Sequence, residues 1–106
     1  MGGNMTAIQT ADNASPVVVI PDEGKLKVIY MNVHTVIDAA TTFDIMKNGT
    51  DTTVDVTLAN ATADETGVEL SIASTIQLEA GDAINLKSNG EQSASTTADL
   101  TYIIRR

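Results

Sequence analysis

His34 is the only histidine in the chain, and it is the first residue to weigh for chemistry. Acid–base work by an imidazole needs an orienting carboxylate and a nucleophile in reach, and a metal centre needs further ligands. Neither stands beside it in the sequence, so His34 reads as a packing or interface residue. The acidic clusters that stand out are Asp22-Glu23, Asp64-Glu65, and Asp51 with Asp55. Their oxygens suit a hard cation such as Ca²⁺, yet none has the Asp-x-Asp-x-Asp-Gly spacing of a calcium loop. They read as solvated turns, with an ion on an oligomer axis as the minor alternative. Asn4-Met-Thr, Asn13-Ala-Ser, Asn48-Gly-Thr and Asn60-Ala-Thr match the glycosylation pattern, but a chain this rich in threonine yields such matches by chance. Arg105-Arg106 is a basic pair, either a solvated end or an anchoring contact. Nothing here forms a catalytic constellation. The expectation is no enzyme, no cofactor, no metal and no small-molecule substrate.

Composition narrows the remaining classes. With 106 residues the chain fits one domain, able to bury roughly 60–65% of its extended-chain surface. Two Tyr, one Phe and no Trp leave the core to Val, Ile, Leu and Ala, and the β-branched bias favours strands. A net charge of −8 argues against nucleic acid and against an anionic membrane, which select basic surfaces. The absence of cysteine fits assembly in a reducing cytosol. No apolar run reaches the length of a membrane span, and no basic-then-apolar signal order opens the sequence, so export by that route is not expected.

The elements that must position these residues alternate with period two. Ile76 and Leu78, then Ile84 and Leu86, flank the Gly81-Asp82 turn and read as two strands of an antiparallel sheet. Phe43 and Ile45 point inward from a strand over 41–47, and Asn48-Gly49 is a strong hairpin signal. The return strand over 52–58 puts Val54, Val56 and Leu58 inward. Val68, Leu70 and Ile72 form another strand, with a bend or bulge near Ser74-Thr75. The longest strand runs from Lys25 to about Ile37 and is apolar on both faces. So is the last, over 99–104. An antiparallel sandwich strand keeps one face wet, so both strands call for a second burial surface. Pro16-Val-Val-Val-Ile20-Pro21 is boxed by prolines and reads as an edge strand or tether. Residues 1–15 show no period and read as an arm that orders only against a partner. Burial of Val17 to Ile20 is too little to offset ordering twenty residues, so 1–20 is expected to be dispensable for folding and required for attachment. The fold expected is an all-β antiparallel sandwich over 24–106 behind an N-terminal arm over 1–23.

Three phrases in order resemble a known group of proteins. They are Gly24-Lys-Leu-Lys-Val-Ile-Tyr30, the Glu79-Ala-Gly-Asp82 corner between strands, and Asp99-Leu-Thr-Tyr-Ile-Ile-Arg-Arg106. Together they resemble the TNF/C1q-like jelly rolls of tailed-phage head decoration (cement or head-fibre) proteins. The resemblance implies a structural protein that binds the major capsid protein on the capsid exterior as a trimer, after assembly in the host cytoplasm. The doubly apolar strands point to a homotrimer, with Tyr30, Met31, His34 and Tyr102 as interface residues. Pro16, Val17, Val18, Val19, Ile20, Arg105 and Arg106 are the expected contacts to the capsid or a neighbouring protomer. The alternative is the receptor- or glycan-binding knob of a phage head or tail fibre. Exposed aromatics would favour that reading, whereas Tyr30, Phe43 and Tyr102 fall in strands.

Overall fold

The computed structural model describes residues 2–5, 8, 13–60, 65, 67–70, 72, 75–92 and 96–105, and Asp64, Ser74 and Arg106 lie outside these. The strands are β1 (Gly2–Met5), β2 (Val18–Val19), β3 (Gly24–Val33), β4 (Thr41–Lys47), β5 (Thr50–Leu58), β6 (Val68–Leu70), β7 (Ile76–Leu78), β8 (Ala83–Ser88) and β9 (Ala98–Arg105). One sheet has the order β1-β9-β3, with β6 and β7 sharing the far edge of β3; the other runs β2-β8-β4-β5. Every strand pairing is antiparallel. The all-β sandwich that the alternation predicts is what the chain forms.

Alternation carries most of this. Phe43 and Ile45 of β4, Val56 and Leu58 of β5, and Ile84 and Leu86 of β8 are buried. They join Leu26, Ile29, Met31, Leu100 and Tyr102 of the first sheet in one hydrophobic cluster. Asn48 and Gly49 turn the β4–β5 hairpin at φ of 53° and 80°, the left-handed pair that a two-residue turn of matching twist requires.

Three expectations are corrected. The first concerns β3, whose two apolar faces called for a subunit interface. Leu26 stands opposite Ile104 and Val28 opposite Ile103, so Lys27 has no partner and forms a bulge. A bulge inserts one residue and reverses the phase of the strand. Before it the even position Leu26 faces the core; after it the odd positions Ile29, Met31 and Val33 do. Two half-strands out of phase have one buried face between them. The strand also stops at Val33 and does not continue to Ile37.

The second concerns the Gly81-Asp82 corner. β7 pairs with β3 in the first sheet and β8 with β4 in the second, so the corner carries the chain between sheets. Gly81 holds φ of 94° and donates its N–H to the carbonyl of Ile20 at 2.8 Å. Asp82 Oδ2 accepts from Glu79 N at 2.8 Å, which closes the turn.

The third concerns residues 1–23. Gly2–Met5 pairs with β9 in register from Gly2 opposite Thr101 to Met5 opposite Ala98. Met5 and Ile8 are 0% exposed and Ile20 is 1% exposed. Ser15 donates its N–H to Leu86 O at 2.8 Å and accepts from Leu86 N through its hydroxyl at 2.9 Å. The described part of this segment belongs to the sandwich, because three spaced apolar residues and a sheet edge supply what four consecutive valine-type residues could not.

Candidate interaction surface

The residues singled out as contacts divide by burial. Met31 is 1% exposed and Tyr102 2% exposed, so their side chains belong to the protomer's own core and cannot serve as trimer contacts. The bulge at Lys27 is the reason, since it turns Met31 inward across from Leu100. Burial pushes the Tyr102 phenol above its usual pKa. Tyr30 stays 41% exposed, on the outer face of the first sheet between Thr101 and Glu69. Of the three aromatics only Tyr30 is exposed, Phe43 being 0% exposed.

His34 lies past the end of β3, in a bend. Its Nδ1 donates to Glu65 Oε1 at 2.7 Å and its Nε2 donates to Asp99 Oδ2 at 3.0 Å. Two nitrogens each donating to a carboxylate require the imidazolium. The hydrogen bond to Glu65 first, and the charges of Glu65 and Asp99 with it, raise the pKa of His34. While it is protonated and both nitrogens donate, the ring has no lone pair to act as a base. It clamps Glu65 and the start of β9 to the end of β3. Glu65 reinforces the clamp by donating its N–H to Val33 O at 2.8 Å. Glu65 was legible only as half of a solvated acidic turn.

A second polar group sits on the outer face of the other sheet. Asp44, Asp51 and Asp55 bring one carboxylate oxygen each within 4.8 Å of one another, close enough to share a hard cation. Burial first, then the hydrogen bond with Asp55 and the charges of Asp51 and Asp55, raises the pKa of Asp44. Asp51 and Asp55 stood out in the sequence, but Asp44 did not. The reason is register: Met46 pairs with Asp51 while Asp44 pairs with Asp55, so three residues of β5, Thr52 to Val54, stand as a bulge against Ile45 alone, two more than a regular ladder allows. Thr53 sits in that bulge at φ of 64°, its N–H bonded to Asp51 Oδ1 at 2.8 Å.

The proline-boxed stretch forms the most exposed apolar edge. β2 lies at the end of its sheet and, among the described residues, pairs with β8 alone, Val18 opposite Ile84 and Val19 opposite Ala83. Val17 and Val19 are 57% and 59% exposed, and Pro16 and Pro21 are exposed beside them. Val18 is half-buried and packs on the core, whereas Ile20 is buried. Beyond Pro21 a groove of about 390 Å³ opens between Ile20, Pro21, Asp22 and Glu23 on one side and Tyr102 to Arg105 on the other. β1 covers β9 only from Ala98 to Thr101. The groove thus joins Ile20, Tyr102 and Arg105, three residues expected to make contacts, beside the part of β9 that β1 leaves uncovered. No protein-family model matches the chain, and no curated protein matches it.

Proposed function

We propose that this chain is a non-catalytic structural protein that decorates and stabilises a phage capsid surface as a trimer, bound through its β2 edge. One observation carries the reading: the exposed strip Pro16, Val17, Val19 and Pro21 at the terminal strand of its sheet, beside the groove. Exposed strand edges template pairing with another chain, and proteins that keep them usually blunt them with proline and shortness. Here the prolines limit the edge to a few residues while leaving two valines outward. That geometry suits a short, specific strand-to-protein contact. Three such footprints on one rigid trimer bind as a unit, and effective concentration raises affinity about 10²–10⁴-fold with no new contact. The jelly-roll resemblance of the Gly24, Glu79 and Asp99 phrases supplies the capsid context. Commitment of both His34 nitrogens speaks for a structural role.

Location tests the reading. Gold-labelled antibody against the chain, applied to particles from its source and imaged by electron microscopy, should mark the whole head lattice. Label confined to the tail or to fibre tips overturns decoration in favour of a receptor-binding knob.

A further inference from the structure

The chain has six Lys and Arg, and their distribution over the two sheets is uneven. On the second sheet Lys47 lies 3.6 Å from Asp82, and Lys87 stands across from Asp44. On the first sheet Lys25, Lys27 and Arg105 form no ion pair within 4.0 Å among the described residues. All three are exposed, and all three share the outer face at one end. Lys25 pairs directly with Arg105. Like charges opposite one another in an antiparallel pair are destabilising. The bulge adds the third, since it leaves Lys27 and Val28 on the same side across from Ile103. Next to these cations runs an apolar strip: Val28 and Ile103, both half-buried, then exposed Tyr30.

We propose that this face, with Val28, Tyr30 and Ile103 at its centre and Lys25, Lys27 and Arg105 at its rim, is where a second copy of the chain docks. The inference deepens the trimer reading above and rests on it. Charge complementarity selects the occupant. Taking three positive charges out of a net −8 leaves −11 over the rest of the surface, so another copy presents mostly carboxylates. The same charges also restrict the symmetry. A two-fold axis through this face would set its cations near their own copies, and an isologous contact is therefore disfavoured. A heterologous contact places the basic rim against acidic surface of the next copy, and three such contacts close a ring. An apolar centre with a charged rim is the ordinary anatomy of a protein interface.

The test removes positive charge from the patch in one variant and the same amount of charge from the other sheet in a control. Wild type, K25Q/R105Q, and the charge-matched control K47Q/K87Q are compared by sedimentation, with circular dichroism confirming the fold of each. Wild type and control are expected at about 33 kDa, three chains of 11.1 kDa. The patch variant is expected to raise the concentration for half-dissociation by about tenfold or more. Tyr30→Ala should weaken the trimer in the same direction. A wild-type trimer that all the variants share overturns this surface while leaving the trimer standing. Equal weakening by patch variant and control assigns the effect to net charge and overturns it as well. A monomeric wild type overturns the trimer reading itself.

Discussion

The hydroxyl of Ser88, at the end of β8, donates to the backbone carbonyl of Ile8 at 2.5 Å in a buried hydrogen bond. The bond joins the N-terminal segment to the second sheet, while β1 joins it to the first. Ser88 Oγ also accepts from Gly90 N at 3.0 Å. Ser88→Ala therefore strands a buried carbonyl and should cost about 1–3 kcal/mol in urea unfolding. Deleting residues 1–20 removes Met5, Ile8 and Ile20 from the core. At about 2–5 kcal/mol for each large-to-small change, the sum rivals the roughly 5–15 kcal/mol that holds a domain together. The truncated chain should show no cooperative melting transition. A sharp transition near that of the full chain would restore the detachable arm.

The His34 clamp gives stability a pH dependence of definite sign. The folded pKa is raised above 6.5 by Glu65 and Asp99. Between the unfolded and folded values the native state holds more protons, so stability falls as pH rises through that window. The contribution is fully present below the unfolded pKa. Melting temperatures from pH 5 to 9 should fall across the window, and Glu65→Gln with Asp99→Asn should flatten that fall. An NMR titration of the imidazole in wild type should give a midpoint above that of a free histidine.

How much of this was open to a reading of the sequence depended on distance along the chain. β4 and β8 pair with each other without a register shift, so Phe43, Ile45, Ile84 and Leu86 announce their faces by alternation alone. β3 hides a bulge at Lys27, and a phase reversal looks like a strand wet on neither side. The β1–β9 ladder joins the first strand to the last, and nothing in Gly2 to Met5 signals a partner about a hundred residues away. Glu65 and Asp99 reach His34 the same way, through pairing of distant segments. Asp44 reaches Asp55 only because β5 bulges.

Asp44 shares its neighbourhood with two other carboxylates, and burial and Asp55 both favour its neutral form. A raised acid pKa means that stability falls as pH rises through the window between the ordinary and raised values. Asp44→Asn removes the like-charge contact across from Asp55. The expected gain at pH 7 is about 0.2–1 kcal/mol. The gain should vanish at a pH low enough to protonate the wild-type carboxyls. Thermal melts of both proteins at the two pH values measure it.

Asn48 ties the β4–β5 turn to the corner before β8. Its Nδ2 donates to Asp82 Oδ1 at 3.0 Å and its Oδ1 accepts from Ala83 N at 2.9 Å. It also occupies a left-handed φ of 53°, which asparagine tolerates better than most residues. Asn48→Ala loses both bonds and takes on the backbone strain, for a loss of about 1–3 kcal/mol. Asn48→Gly should recover the backbone part. The bond from Asn48 is also the main cause of the lowered pKa of Asp82. In either variant the Asp82 carboxyl should titrate higher by NMR, which a purely backbone effect would not produce.

Three consecutive valines, Val17 and the two of β2, should separate folding from attachment. Val17 and Val19 are 57% and 59% exposed, while Val18 is half-buried and packs on the core. Surface changes away from packed features alter stability by no more than about 0.5 kcal/mol. Val17→Ser with Val19→Ser should therefore melt within a few degrees of wild type. Val18→Ser puts a hydroxyl against the core and should be the least stable of the set, by about 1–3 kcal/mol. Attachment should follow the opposite order. The doubly substituted chain keeps its fold and oligomer but fails to bind capsids lacking the protein, while folded Val18→Ser protein still binds. If the outward pair can be changed with no loss of binding, the β2 edge is not the attachment surface and the proposed role of this strip fails.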